Sequence, residues 1–502
     1  MSSVKKNYIY NVIYQLLTFA SVLLITPYIT RTLGAYNTGV YSYTYSAANY
    51  FWLFAMLGVN NYGNRSIAQA RAMDEGTGGN EQVSRTFFNI YALQLLTAVV
   101  SAGAYITYVL AFSVDNREIA LLQFLYVVAA VVDINWFFFG MEQFKITVTR
   151  NIVIKLLSML AIFLLVKKQE DLWIYTTIMA GSILLSNLIL LPYLRRFVKF
   201  VKPTWKEIGR HVKPNLILFV PVVAISIYNI MDKLMIGRIL GDKKEVSYYD
   251  NAEKVMQVPT AFINALGTVM LPKMSGLVQK NDKAKCLEYI EKSMQLALMI
   301  SFATSFGLAA IADNFAPVFY GAEFIPCAAL IMWLSPIGVI KSWANVIRTQ
   351  YLIPNGKDSI YVVSVILGAV VNLIANLLLI VRIGTIGAVI GTILAEAAVM
   401  LYQTIMSRKE LEFGKYLKRN IAYGGIGLVM FLVVRLIGST GEPSVTLLLI
   451  QMGAGILIYG GLSAGYLCLT KDPFLNDVRN RLNKILKLSL IHISEPTRHS
   501  LI

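Results

Sequence analysis

"RTLGAYNTGVY" (Arg31–Tyr41) and "RILGDKKEVSY" (Arg238–Tyr248) align without a gap and share Arg, Leu, Gly and Tyr in register. Each copy stands where an apolar stretch gives way to a polar turn. A glycine after leucine permits a tight exit from a helix, and a tyrosine suits the water-lipid boundary. Convergent turn chemistry accounts for four shared residues as readily as duplication does. Their common topological position favours duplication.

The 502 residues are 56% hydrophobic and 15% charged, with a mean hydropathy of +0.60. Soluble domains carry about 25% charged residues, so this composition indicates a membrane protein. Runs of about 20 apolar residues, enough to cross roughly 30 Å of hydrocarbon, recur throughout. They predict an all-α polytopic chain with spans near 8–30, 38–60, 86–113, 118–140, 146–166, 172–194, 214–238, 247–272, 291–313, 323–347, 358–381, 384–406, 419–438 and 445–470. "MSSVKK" precedes an apolar run without a small-residue cleavage site, which reads as a first span rather than a signal peptide.

Lysine and arginine mark cytoplasmic joints. "RRFVKFVKPTWKEIGRHVK", "KMSGLVQKNDKAK", "SRKELEFGKYLKR" and the tail from Lys471 are rich in them, whereas "SVDNRE", "NFAPVFYGAEF" and "GSTGEP" are nearly devoid. Both termini are therefore expected in the cytoplasm. The net charge of +17 follows from this topology and from contact with anionic lipids, not from nucleic-acid binding. Cys286, Cys327 and Cys468 lack metal or disulfide spacing. "LSLIHISEPTR", from Leu488, resembles the translation of a transposon-end sequencing adapter, so 488–502 is read as non-native.

Six predicted spans separate Arg31 from Arg238, which places both copies on one membrane face. Repeats so related are parallel, with an axis along the membrane normal. "MLGVNN" and "ALGTVM" add a weaker echo. The expected organisation is a six-helix lobe at 1–200, a basic linker at 201–213, a second six-helix lobe at 214–407, two further helices at 408–470 and a basic tail at 471–487.

"NVIYQLLTFASVLLITPYITRTLGAYNTGVYSYTYS", "LGVNNYGNRSIAQAR", "DINWFFFGMEQFKITVTRNIVIKLLSML", "MDKLMIGRILGDKKEVSYYDNAEKV", "YLIPNGKD" and "VNLIANLLLIVRIGTIGAVIGTILAEA" occur in an order that spans almost all of residues 1–470. In these motifs the chain resembles the Wzx-type oligosaccharide flippases of the multidrug/oligosaccharidyl-lipid/polysaccharide exporter superfamily. The resemblance implies a flippase in the bacterial cytoplasmic membrane that handles polyprenyl-pyrophosphate-linked oligosaccharide by alternating access. Membrane lipids and a polysaccharide polymerase machinery are the implied partners.

An ionisable side chain at mid-membrane costs about 2.5–3.5 kcal/mol on insertion scales and so faces a partner or a wet cavity. Cations facing a cavity suit a pyrophosphate. Arg31, Arg65, Lys233, Arg238, Lys254 and, more weakly, Lys341 are the candidate contacts. Snorkelling or structural ion pairing is the competing role, at least as strong for the three arginines. Asp133 and Lys155 are expected to pair with one another. Trp136 and the phenylalanines beside it suit an interfacial belt better than a sugar.

Asn372 and Asn376 share a helix face, as do Thr392 and Glu396. With Asp232 they offer hard oxygen ligands for a coupling cation. The resemblance to lipid-linked cell-wall precursor flippases points to sodium, with a proton as the other choice; interhelical hydrogen bonding is the rival role. No enzymatic motif such as DxD or a P-loop is present. The rival functions are a cation-coupled exporter of drugs or small amphiphiles and a membrane polysaccharide polymerase or glycosyltransferase. Basic cavity candidates disfavour the first, and the short outer loops the second.

Overall fold

Inside hydrocarbon every backbone amide must find its partner within the chain, and helices are the local solution. The computed structural model, which describes residues 3–75, 79–112 and 116–472, contains helices and no strand among those residues. Among the described residues, eleven helices are long and apolar enough to cross a membrane. The three other expected spans lie on three elements. Helix Ser3–Met56 carries the first two and is broken at Gly34, where φ is 76° and ψ 173°. The span expected at 118–140 is interrupted, with Arg117–Val128 followed by Asn135–Gly140. The reading of 488–502 falls outside the described residues.

The glycines of the two Leu-Gly pairs share a backbone feature. Gly34 and Gly241, 207 positions apart, both adopt positive φ, 76° and 73°, a conformation that costs a side-chain-bearing residue strain. Trp136 and Trp343 stand at the same interval, as do Gln143 and Gln350.

The described chain forms two compact units. One comprises residues up to Met256 with Phe315–Leu334 and Ser359–Tyr402; the other comprises Gln257–Asn314, Ser335–Asp358 and the residues from Gln403 onward. In the first unit Trp136 is fully buried against Phe87 and Phe137 and donates Nε1–H to Gln94 Oε1 at 2.9 Å. Gln94 in turn donates to the carbonyls of Ala130 and Asp133, satisfying the backbone of the interrupted span. The interfacial role expected for Trp136 is thus corrected: it is a core anchor whose polar atom finds an internal acceptor.

In the second unit, Asn314 donates to Gln451 Oε1 at 2.8 Å and Gln451 to the Val434 carbonyl at 3.0 Å. Arg419 bonds Glu291 and, at 2.6 Å, Asp472. These polar contacts fasten helices Phe413–Gly438 and Val445–Leu469 to Lys283–Tyr320, where apolar contact alone gives no net drive in lipid.

Candidate functional site

Four helices of the first unit converge on Asp232, which is fully buried. Its own helix, Trp205–Ile239, supplies the carboxylate. From Lys243–Gln279, Tyr249 Oη donates to Oδ2 at 2.5 Å; from Thr385–Ser407, Thr392 Oγ1 donates to Oδ2 at 2.7 Å. From Asp358–Ile383, Asn376 Nδ2 donates to Oδ1 at 2.6 Å. Asn372 Oδ1 accepts from the same Asn376 amide at 3.3 Å. Glu396 lies one turn beyond Thr392 and is also buried. A Cβ at Gly391 would stand 2.1 Å from Asn376 Oδ1, so glycine there is what lets the amide reach this position.

The structure therefore brings Asp232, Asn372, Asn376 and Thr392 together, and it adds Tyr249, which sequence reasoning missed. Two atoms of the cluster stay buried without a hydrogen-bond partner, Asn376 Oδ1 and Asn372 Nδ2. Oxygens of a carboxylate, amides and hydroxyls form the donor set hard cations prefer.

Next to it lies an ionic cluster. Lys233 Nζ is 2.9 Å from Asp250 Oδ1 and 2.9 Å from Glu253 Oε2; Lys254 Nζ is 2.7 Å from Asp250 Oδ2. Ser42 donates to Asp250 Oδ2 at 2.7 Å. The lysine and carboxylate charges balance, so Lys233 and Lys254 are not the free cations that the sequence alone invites one to see. Lys254 keeps 39% of its side chain exposed, against 16% for Lys233.

At the repeated turns the two copies touch. Thr38 Oγ1 and Ser247 Oγ lie 2.7 Å apart. Glu323 accepts from the Ala35 amide at 2.9 Å and pairs with Lys244 at 3.3 Å. Arg31 donates from Nη2 to the Val318 carbonyl at 2.5 Å, which places it on a helix C-terminus, a favourable seat for a cation. Arg65 lies 5.9 Å over the Tyr62 ring, and Arg238 is exposed. Among the described residues, neither Arg65 nor Arg238 forms an ion pair. Lys341, half-buried, belongs to the second unit.

The expected Asp133–Lys155 pair is not formed among the described residues. Asp133 Oδ1 accepts from the Asn135 amide and, at 2.7 Å, from Asn135 Nδ2. The break after Val128 turns the carboxylate back onto its own chain. Asn135 Oδ1 in turn accepts from buried Arg150 at 2.8 Å.

A family model described as polysaccharide biosynthesis protein matches residues 4–278. The "Putative O-antigen transporter" of Escherichia coli (strain K12) is 22% identical over 402 residues, covering 79% of this chain and 95% of the relative. The "Probable low-salt glycan biosynthesis flippase Agl15" of Haloferax volcanii is 23% identical, over 55% of this chain and 59% of the relative. A solved structure of lipid II flippase MurJ in an inward closed conformation superposes with a TM-score of 0.63 at 16% identity, covering 91% of this chain and 99% of that one. At that identity the likeness speaks for the fold.

Proposed function

We propose, since the chain belongs to the polysaccharide biosynthesis protein family, that it is a flippase for polyprenyl-pyrophosphate-linked oligosaccharide repeat units. The membrane is the bacterial cytoplasmic membrane, both termini face the cytoplasm, and the units feed a surface polysaccharide through a polymerase machinery. The observation that carries this reading is similarity to an O-antigen transporter over 79% of this chain and 95% of that relative.

The substrate joins a polar, anionic head to a long hydrocarbon tail. Exposed Arg65 and Arg238 are the contacts best placed to pair with pyrophosphate, because no carboxylate among the described residues pairs with them. Lys254 joins them if Asp250 stays with Lys233. Arg31 and Lys341 are weaker choices.

The translocation cycle is alternating access between two similar lobes, at 1–200 and 214–407. Thr38 on Ser247 closes the end where the repeated turns meet. A coupling cation, sodium or a proton, would be held by Asp232, Asn376, Asn372, Thr392 and Tyr249. Glu396, buried one turn beyond Thr392, is the further candidate ligand, and Asn376 Oδ1 is an oxygen without a donor. Such a cation biases the cycle only if it binds one state more tightly than the other.

Complementation tests the function. A strain lacking its repeat-unit flippase should regain surface polymer when this chain is expressed, and lipid-linked units should stop accumulating inside. No surface polymer at normal membrane level of the chain, across hosts with different repeat units, would contradict the reading. Reporter fusions should place residue 205 inside and residue 440 outside.

A further inference from the structure

A chemically distinct feature lies in the first unit. Helix Ser3–Met56 ends at Met56, and helix Val59–Asp74 begins after a two-residue break. Leu57, a branched residue, holds φ at 45° in the break. Such strain persists only where the surroundings enforce it, and it gathers at binding sites. At the break is a cavity of about 150 Å³, walled by Trp52, Met56, Gly58, Asn60, Asn61 and Val222 among others, none of the lining residues being ionisable.

The side-chain amides in its lining are those of Asn60 and Asn61. Behind the cavity, and not among its lining residues, fully buried Asn215 has neither Oδ1 nor Nδ2 paired. A Cβ on Gly58 would stand 2.8 Å from Asn215 Oδ1, so this amide presses on the break itself. Buried polar atoms without partners are few in folded chains and call for a cause. Asn60 and Asn61 are exposed at the same place.

We infer that this cavity is a subsite for one neutral sugar ring, the one joined directly to the pyrophosphate. The inference rests on the flippase reading above. A pyranose has apolar C–H faces and a rim of hydroxyls that donate and accept, which an indole ring and the exposed amides of Asn60 and Asn61 can meet. A cavity near 150 Å³ admits a six-membered ring. Asn61 and Arg65 are four residues apart on one helix and share a face, with about 6 Å between such positions. That offset matches the chemistry: the first sugar is bonded to the phosphate that Arg65 would pair with. Trp52 and the asparagines then read the sugar, while Arg65 reads the charge common to every such lipid.

The test uses two probes on the purified full-length protein in nanodiscs: polyprenyl pyrophosphate carrying a single hexose, and the same lipid without sugar. Trp52→Leu should weaken the hexose-bearing probe about tenfold and leave the bare lipid within about twofold; Asn61→Ala, at an exposed position, should do the same by about threefold. Arg65→Gln should weaken both probes alike. Equal loss of both probes in Trp52→Leu and Asn61→Ala, or no loss of the hexose-bearing one, would overturn the subsite. Wild-type protein that binds neither probe would instead overturn the flippase reading, and the subsite with it.

Discussion

Lys233 Nζ stands 2.9 Å from Asp250 Oδ1, and Glu253 Oε2 holds the same ammonium at 2.9 Å. The cation that sequence reasoning offers to the substrate is thus committed to two carboxylates of the chain. Removing one partner of a buried pair typically costs about 3–5 kcal/mol, because the other charge is left uncompensated.

Lys233→Gln should therefore lower membrane level and melting temperature, and Asp250→Asn added to it should restore much of both. Lys199→Gln, beside the basic linker, should change neither. Export measured at matched membrane level separates the roles. A double variant that regains stability but not export assigns Lys233 to the substrate; recovery of both makes the cluster structural.

The contact of Thr38 with Ser247 predicts a cross-link. Thr38→Cys with Ser247→Cys, in a background lacking Cys286, Cys327 and Cys468, should form a disulfide under mild oxidant. Transport should stop and return on reduction. Transport that continues through the oxidised state would show that this contact need not open.

At the buried carboxylate, Asp232→Asn, Asn376→Ala and Gly391→Ala should each remove the response of transport to an imposed sodium or proton gradient. Gly391→Ala acts through space alone, since its Cβ would overlap Asn376 Oδ1. If gradients leave wild-type transport unchanged, the coupling proposal fails and the flippase reading stands.

The glycines of the repeat should differ in sensitivity. Gly34 combines φ 76° with ψ 173° and a Cβ there would lie 2.9 Å from Glu323 Oε2, whereas a Cβ at Gly241 meets nothing within 4 Å. Backbone strain of this kind costs roughly 1–3 kcal/mol. Gly34→Ala should lower the melting temperature more than Gly241→Ala, with both below wild type.

Much of the buried carboxylate site is legible in the amino-acid order alone. Asn372, Asn376 and Thr392 announce themselves because polar residues in apolar helices must face something other than lipid; Asn376 and Thr392 meet Asp232, and Asn372 meets Asn376. Tyr249 stays hidden because a tyrosine near a span end reads as a boundary residue, and its phenol points inward only once two helices cross. Asp250 and Glu253 escape notice because they follow a polar turn, where carboxylates are ordinary; only the packing of Trp205–Ile239 on Lys243–Gln279 makes them partners of Lys233. Pairing Asp133 with Lys155 presumes an unbroken helix, and the interruption after Val128 gives the carboxylate Asn135 instead. Trp52 carries no signal at all, since its significance lies in a cavity that forms only where two helices meet at a break.

The most direct measurement of the central claim is movement of substrate by the purified chain. Proteoliposomes containing the protein and a fluorescent polyprenyl-pyrophosphate oligosaccharide should expose labelled glycan to an impermeant glycan-modifying enzyme faster than protein-free vesicles do. A phosphatidylcholine reporter should not be moved faster. Rates equal to those of protein-free vesicles, under sodium, proton and no gradient alike, would contradict the account.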